Sequence, residues 1–257
     1  MFFKLLLVFA AGLAAGFLNV TAGGGSLITM PVLIFLGLPS AVANGTNRIA
    51  ILLQNITSIS SFRRRGYFEP RFALRLALPA VAGSFIGSSL AVDIPDALFN
   101  RILAGVMIVV LLLILFKPTK KVAEREITLS RGREIGLMVA FFFVGLYGGF
   151  IQGGVGFIII TTLSLFTGAS LVRINSLKVF IVAVYTVSSL LVFFLHGKIN
   201  LTAGLVLAAG NSLGGWAGTS FSVKKGDRWI KIVLSAAILA MTARLLGLFE
   251  LIGRLLS

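Results

Sequence analysis

Two basic residues, Arg48 and Lys178, stand within long apolar stretches. Asn44 lies four residues before the first, and Asn175 three before the second. Side chains three or four apart share a face of a helix, so each pair sets an amide beside a cation. A cation at the centre of a membrane helix costs roughly 2.5–3.5 kcal/mol on insertion scales, so it needs a partner or water. No acid is placed to pair with either. The eight acids, Glu69, Asp93, Asp96, Glu124, Glu126, Glu134, Asp227 and Glu250, fall in loops or at the ends of apolar runs. Proton relays and cation-selective sites use carboxylates within the membrane. Cations without acids suit the opposite partner, a small anionic substrate. The competing reading is that Arg48 and Lys178 snorkel to the interface from near their helix ends, as Arg244 is expected to do.

The second chemical feature is glycine. Gly23, Gly24 and Gly25 in the first half, and Gly153, Gly154 and Gly156 in the second, interrupt apolar sequence and are each followed by a short apolar piece. Unwound backbone at membrane depth is tolerated only where protein or a wet cavity satisfies it. A helix starting there presents free N–H groups and about half a positive charge, and two such starts facing each other make an anion site. Asn19 and Thr21 precede the first cluster and Gln152 stands just ahead of the second. The candidate substrate-binding set is therefore Thr21, Gly24, Gly25, Asn44, Arg48, Gln152, Gly154, Gly156, Asn175 and Lys178. Spaced glycines such as Gly12 and Gly16, or Gly83 and Gly87, read instead as close helix packing.

Other chemistry lacks its residues. The one histidine, His196, has no clustered acid or cysteine, and the chain has no cysteine at all, which leaves no basis for a metal site, disulfide or catalytic triad. Gly168, Ala169 and Ser170 lack a partnering base, and no lysine follows Gly23–Gly25 as a phosphate loop requires. No enzymatic activity, cofactor or metal is expected.

These residues must be positioned by membrane helices. The chain has 257 residues, 58% hydrophobic and 12% charged, a composition that excludes a water-soluble globule. Its net charge of +15 does not indicate nucleic acid, because the cations cluster between apolar runs. Runs of about 20 residues cross a bilayer as helices. Eight are expected, near Phe2–Leu18, Ser40–Phe62, Phe72–Val92, Ala97–Phe116, Ile135–Phe150, Ile174–Leu195, Leu201–Phe221 and Trp229–Phe249. Ser26–Leu38 and Phe157–Gly168 are too short to span comfortably and read as half-helices or re-entrant segments. Met1 to Gly16 resembles a secretory signal, yet it leads directly into a glycine cluster that the second half repeats, and is read as a retained first helix.

A shift of 131 residues superposes Gly23 on Gly154, Gly25 on Gly156, Gly37 on Gly168, Asn44 on Asn175, Ser58 on Ser189, Gly66 on Gly197, Gly83 on Gly214 and Gly87 on Gly218. Such a register implies two copies of one fold. Arg63, Arg64 and Arg65 crowd the loop at Gly66, whereas the loop at Gly197 carries little positive charge. By the positive-inside rule the first is cytoplasmic and the second external, which makes the repeats inverted. Lys117, Lys120, Lys121, Arg125, Arg131 and Arg133 place the central linker inside, as do Lys224, Lys225, Arg228 and Lys231 for a later loop, so both termini lie outside. The expected fold is an all-α polytopic membrane protein: a first repeat over 1–116, a cytoplasmic linker over 117–134 and a second repeat over 135–257. The lipid bilayer is its surroundings, and small-residue faces permit a homodimer.

The stretch Gly16 to Leu33, GFLNVTAGGGSLITMPVL, followed by Gly37, Pro39, Ala43, Asn44, Gly45 and Thr46, resembles the sulfite exporter TauE/SafE family over nearly the whole chain. The resemblance implies an inner-membrane transporter of sulfur-containing anions such as sulfite or organosulfonates. The second half departs from the motif, with Val155 within the glycine run and Thr162 where the first half has Pro31. Besides a carrier working by alternating access, a passive anion channel and a non-transporting sensor or assembly subunit fit the same residues.

Overall fold

The computed structural model describes residues 2–21, 23–116 and 130–222, which form helices and short connections. In chain order these helices are α1 (Phe2–Thr21), α2 (Ser26–Phe35), α3 (Ser40–Arg64), α4 (Pro70–Ala91), α5 (Asp96–Phe116), α6 (Arg131–Phe150), α7 (Val155–Thr167), α8 (Leu171–Leu195) and α9 (Leu201–Ser222). The fold is all-α. Seven expected spans correspond to α1, α3, α4, α5, α6, α8 and α9. The eighth, Trp229–Phe249, lies outside the described residues, together with the basic positions of the linker up to Arg125 and of the loop from Lys224. Helix α6 starts at Arg131, four residues ahead of the expected start, with Ser130 at its N-cap and Glu134 in its first turn. An acid there complements the positive end of the helix.

Helices α1, α4, α6 and α8 are long and apolar enough to cross a membrane by length and composition alone. Helix α3 is as long as α8, at 25 residues, but has a polar interior side. Its Asn44, Thr46, Asn47, Arg48, Gln54, Asn55 and Ser58 are all buried, while Leu53 and Ile56 point outward. That arrangement is polar-in and apolar-out, as expected where the surroundings are hydrocarbon rather than water. The two half-helices, α2 with 10 residues and α7 with 13, reach only about 15 and 20 Å at about 1.5 Å per residue.

Glycine decides the long-helix packing. Helix α1 lies on α9, and α4 on α6, at distances that leave no room for a side chain. A Cβ on Gly16 would strike the carbonyl of Asn211, and one on Gly145 that of Ala80. In the other direction Gly214 abuts Leu13 and Gly218 abuts Phe17, as Gly83 abuts Phe142 and Gly87 abuts Leu146. Each of these three contacts between α1 and α9 thus has a counterpart between α6 and α4. Two apolar cores flank these seams, one joining α1, α2 and α5 around Leu27, Met30, Leu103 and Met107, the other joining α4, α6, α7 and α8 around Leu76, Phe141, Ile159 and Ile181.

The counterparts correct one expectation. At Gly37 and Gly168, Gly66 and Gly197, and the ends of α3 and α8, the shift of 131 matches like with like. At the glycine breaks it is two residues out of step. Helix α2 begins after Gly25 and α7 after Gly154; the left-handed residues ahead of the starts are Gly23 (φ 86°) in the first break and both Gln152 (φ 60°) and Gly154 (φ 74°) in the second. By helix start Gly25 corresponds to Gly154 and Gly23 to Gln152, while the left-handed glycines Gly23 and Gly154 still coincide under the shift of 131. The register is restored further on because α7 is longer than α2.

Candidate functional site

Helix α3 carries Arg48 into the middle of the bundle, where it is fully buried. Its Nη1 donates to Gly148 O at 3.1 Å, Gln152 Oε1 at 2.8 Å and Ser189 Oγ at 2.8 Å. Its Nη2 donates to Asn44 Oδ1 at 3.1 Å and to Gly149 O. The ring of Phe193 lies 4.7 Å from the guanidinium carbon, close enough for a cation–π contact. Asn44 completes the tie by donating from Nδ2 to Phe150 O at 2.8 Å. These acceptors are neutral. Among the described residues, the two ion pairs, Arg75 with Glu134 and Arg173 with Glu69, involve neither Arg48 nor Lys178.

Lys178 is held the same way on the other side. Its Nζ donates to Asn19 O at 2.9 Å, Val20 O at 3.2 Å and Asn175 Oδ1 at 2.8 Å. Gly148 and Gly149 lie in the last turn of α6, and Asn19 and Val20 in the last turn of α1. Carbonyls there have no partner within their own helix and carry the negative end of its dipole. Each buried cation therefore latches the end of a helix at the point where the chain breaks. Arg48, from the first half, holds α6; Lys178, from the second, holds α1. Snorkelling describes neither side chain, since both heads are buried and bonded inside the protein.

The two breaks touch. A Cβ on Gly23 would lie 2.6 Å from the carbonyl carbon of Gly156, and one on Gly156 would collide with Gly23 Cα. Neither half-helix start has a side-chain cap. The second break is pinned by Tyr147, whose hydroxyl donates to Gly153 O, and by the amide of Gln152, whose Nε2 lies 3.4 Å from Thr186 Oγ1.

Of the expected residues, Asn44, Arg48 and Gln152 form one network, Asn175 and Lys178 a second, and Gly24, Gly25, Gly154 and Gly156 build the adjoining breaks. Thr21 joins neither network: its hydroxyl donates back to Phe17 O at 2.8 Å within α1. The structure adds residues not on that list. Ser189 and Thr186 line the Arg48 network, and Asn19 Nδ2 donates to Gln54 Oε1 at 2.6 Å beside the Lys178 network. The Tyr185 hydroxyl packs on Gly148, within 2.8 Å of where a Cβ would stand. Arg48 Nε, Tyr185 OH and Gln54 Nε2 are buried without a hydrogen-bond partner among the described residues. Each carries a hydrogen to donate. The available signal for Ser189 was its match to Ser58 in the repeat; Tyr185 and Gln54 stand at matching positions too, but differ in type.

A family model described as "Sulfite exporter TauE/SafE" matches residues 8–245. The chain belongs to the TauE/SafE family. Curated relatives of this TauE/SafE chain match it nearly end to end. It is 27% identical to the "Probable membrane transporter protein ORF9" of Sinorhizobium sp over 96% of this chain and 94% of that protein. It is 29% identical to a "Probable membrane transporter protein" of Haemophilus influenzae over 94% of each. It is 28% identical to the "Probable membrane transporter protein YfcA" of Escherichia coli K12 over 93% and 88%. No solved structure matches significantly. With its apolar helices, this membership makes the chain a multi-pass membrane protein and a membrane transporter.

Proposed function

We propose that this TauE/SafE chain is a secondary transporter of small sulfur-containing anions, such as sulfite or organosulfonates, acting as an exporter by alternating access of two inverted repeats. The observation that carries the proposal is the pair of buried cations, Arg48 and Lys178, bonded to neutral acceptors at two adjoining helix breaks. Among the described residues their charges are offset by helix-end dipoles, which supply about half a charge each. A bound anion completes the balance. In this reading the oxyanion takes donors from Arg48 and Lys178, from the half-helix starts at Gly24, Gly25, Gly154 and Gly156, and from the amides of Asn44, Gln152 and Asn175. The unpartnered Arg48 Nε and Tyr185 OH are further donors on the same side. The carbonyl latches give the cycle its mechanics: an oxyanion competing for Arg48 loosens α6, and one competing for Lys178 loosens α1.

The reciprocal seams, α1 with α9 and α6 with α4, support two like repeats. The basic residues near Gly66, against few near Gly197, support inversion, an inner-membrane location and external termini. The test is uptake of labelled sulfite, against sulfate, a sulfonate, chloride and nitrate, into proteoliposomes holding purified protein. Saturable flux of a sulfur oxyanion is expected. Unitary currents without saturation would indicate a channel, and no flux from folded protein would overturn the reading.

A further inference from the structure

Helices α3 and α9 finish at the same end of the bundle, and between their last turns lies a groove separate from the buried cations. Its volume is about 540 Å³. One part of its wall is basic and hydroxylic, from Arg64, Arg65, Thr57, Ser60 and Ser61; the other is apolar, from Ile56 and Trp216. Arg65 spans the two helices, donating from Nη1 to Thr219 O at 3.3 Å and from Nη2 to Ser220 Oγ at 2.9 Å, which fixes its guanidinium at the mouth. Arg64 makes no hydrogen bond or ion pair with any described residue, and no acid is among the described residues that line the groove. Ile56 and Trp216 are 52% and 60% exposed, and Leu53 and Leu213 continue the apolar surface along the two helices.

The arrangement is amphipathic along the helix axes. At the helix ends it offers two cations and hydroxyl donors, and toward the bundle centre an apolar wall led by a tryptophan. Tryptophan favours the membrane–water interface, and basic pockets between transmembrane helices take anionic headgroups. An acyl chain would follow Trp216, Ile56 and Leu53 while the phosphate meets the arginines. We propose that the groove between the ends of α3 and α9 binds an anionic phospholipid, its phosphate clamped by Arg64 and Arg65. A soluble phosphate ester shares the headgroup chemistry but has no use for the apolar wall.

The test uses the full chain, purified and delipidated in detergent, with bound lipid counted by native mass spectrometry. Phosphatidylglycerol, phosphatidylcholine and glycerol phosphate are offered in separate arms. Phosphatidylglycerol should be retained in preference to the other two, and Arg64→Gln should cut its retention about fivefold, the effect of one surface arginine worth about 1 kcal/mol. Trp216→Ala should weaken phosphatidylglycerol without creating a preference for phosphatidylcholine. Arg71→Gln, an exposed cation elsewhere, should leave retention unchanged. Equal retention of both lipids, unchanged retention in Arg64→Gln, or glycerol phosphate bound as well as phosphatidylglycerol would each overturn the proposal. Melting temperature checks the fold of every variant, and Ser60→Asp, which sets a negative charge in the groove, repeats the test should Arg64→Gln fail to fold.

Discussion

Replacing Arg48 by methionine separates its two roles, holding a helix end and balancing an anion. The substitution keeps an unbranched apolar stem and removes the guanidinium. Of its five acceptors, the side chains of Asn44, Gln152 and Ser189 can turn to other partners, whereas the carbonyls of Gly148 and Gly149 are fixed by the backbone of α6. Stranding a buried polar group costs about 1–3 kcal/mol, so two cost about 2–6 kcal/mol. Removing a cation from membrane depth returns about 2.5–3.5 kcal/mol. The two contributions oppose each other, and Arg48→Met should fold with a stability between about 1.5 kcal/mol above and about 3.5 kcal/mol below the wild type. Binding has no such compensation. A charge-assisted hydrogen bond is worth about 1.5–3 kcal/mol, which is roughly 10- to 150-fold in affinity. The assay is concentration-dependent sulfite flux in proteoliposomes, with melting temperature and size-exclusion profile as fold checks. A folded Arg48→Met protein with unchanged half-saturation and rate would refute the assignment of Arg48 to the anion.

Gly23→Ala should lower the melting temperature far more than Gly66→Ala: both positions have positive φ, at a cost of about 1–2 kcal/mol for alanine, but only Gly23 also drives its new Cβ into the backbone of Gly156. Equal losses would show that the contact between the breaks is loose. Gln152→Gly relieves a left-handed glutamine while removing an acceptor of Arg48, so stability should change by about 2 kcal/mol or less in either direction as transport falls; retained transport would remove Gln152 from the site. Because the chain has no cysteine, Arg63→Cys and Lys198→Cys can each be probed with an impermeant thiol reagent on intact cells. Inverted repeats require Lys198→Cys to react and Arg63→Cys to stay protected until the cells are opened; the same accessibility for both would exclude inversion.

Much of the helical fold was legible because apolar length and glycine placement speak directly about a membrane. Asn44, Arg48, Asn175 and Lys178 could be set on shared helix faces from spacing alone. What the sequence could not show is which acceptors the cations reach, because these are backbone carbonyls at helix ends, and a carbonyl leaves no mark in residue type. The two-residue offset at the breaks was hidden for a related reason. Both segments are rich in glycine, so a shift that aligned Gly23 with Gly154 matched identities while misplacing the helix starts. Tyr185 escaped notice because its partner in the repeat is Gln54, and a phenol and an amide, though both can donate and accept hydrogen bonds, do not match as residue types.

Direct binding of labelled sulfite to the purified protein, measured by equilibrium dialysis, tests the central claim without depending on direction or coupling of transport. The wild type should show saturable binding, displaced by unlabelled sulfite and absent from a folded variant carrying both Arg48→Met and Lys178→Met. Saturable binding that survives the loss of both cations would contradict the account.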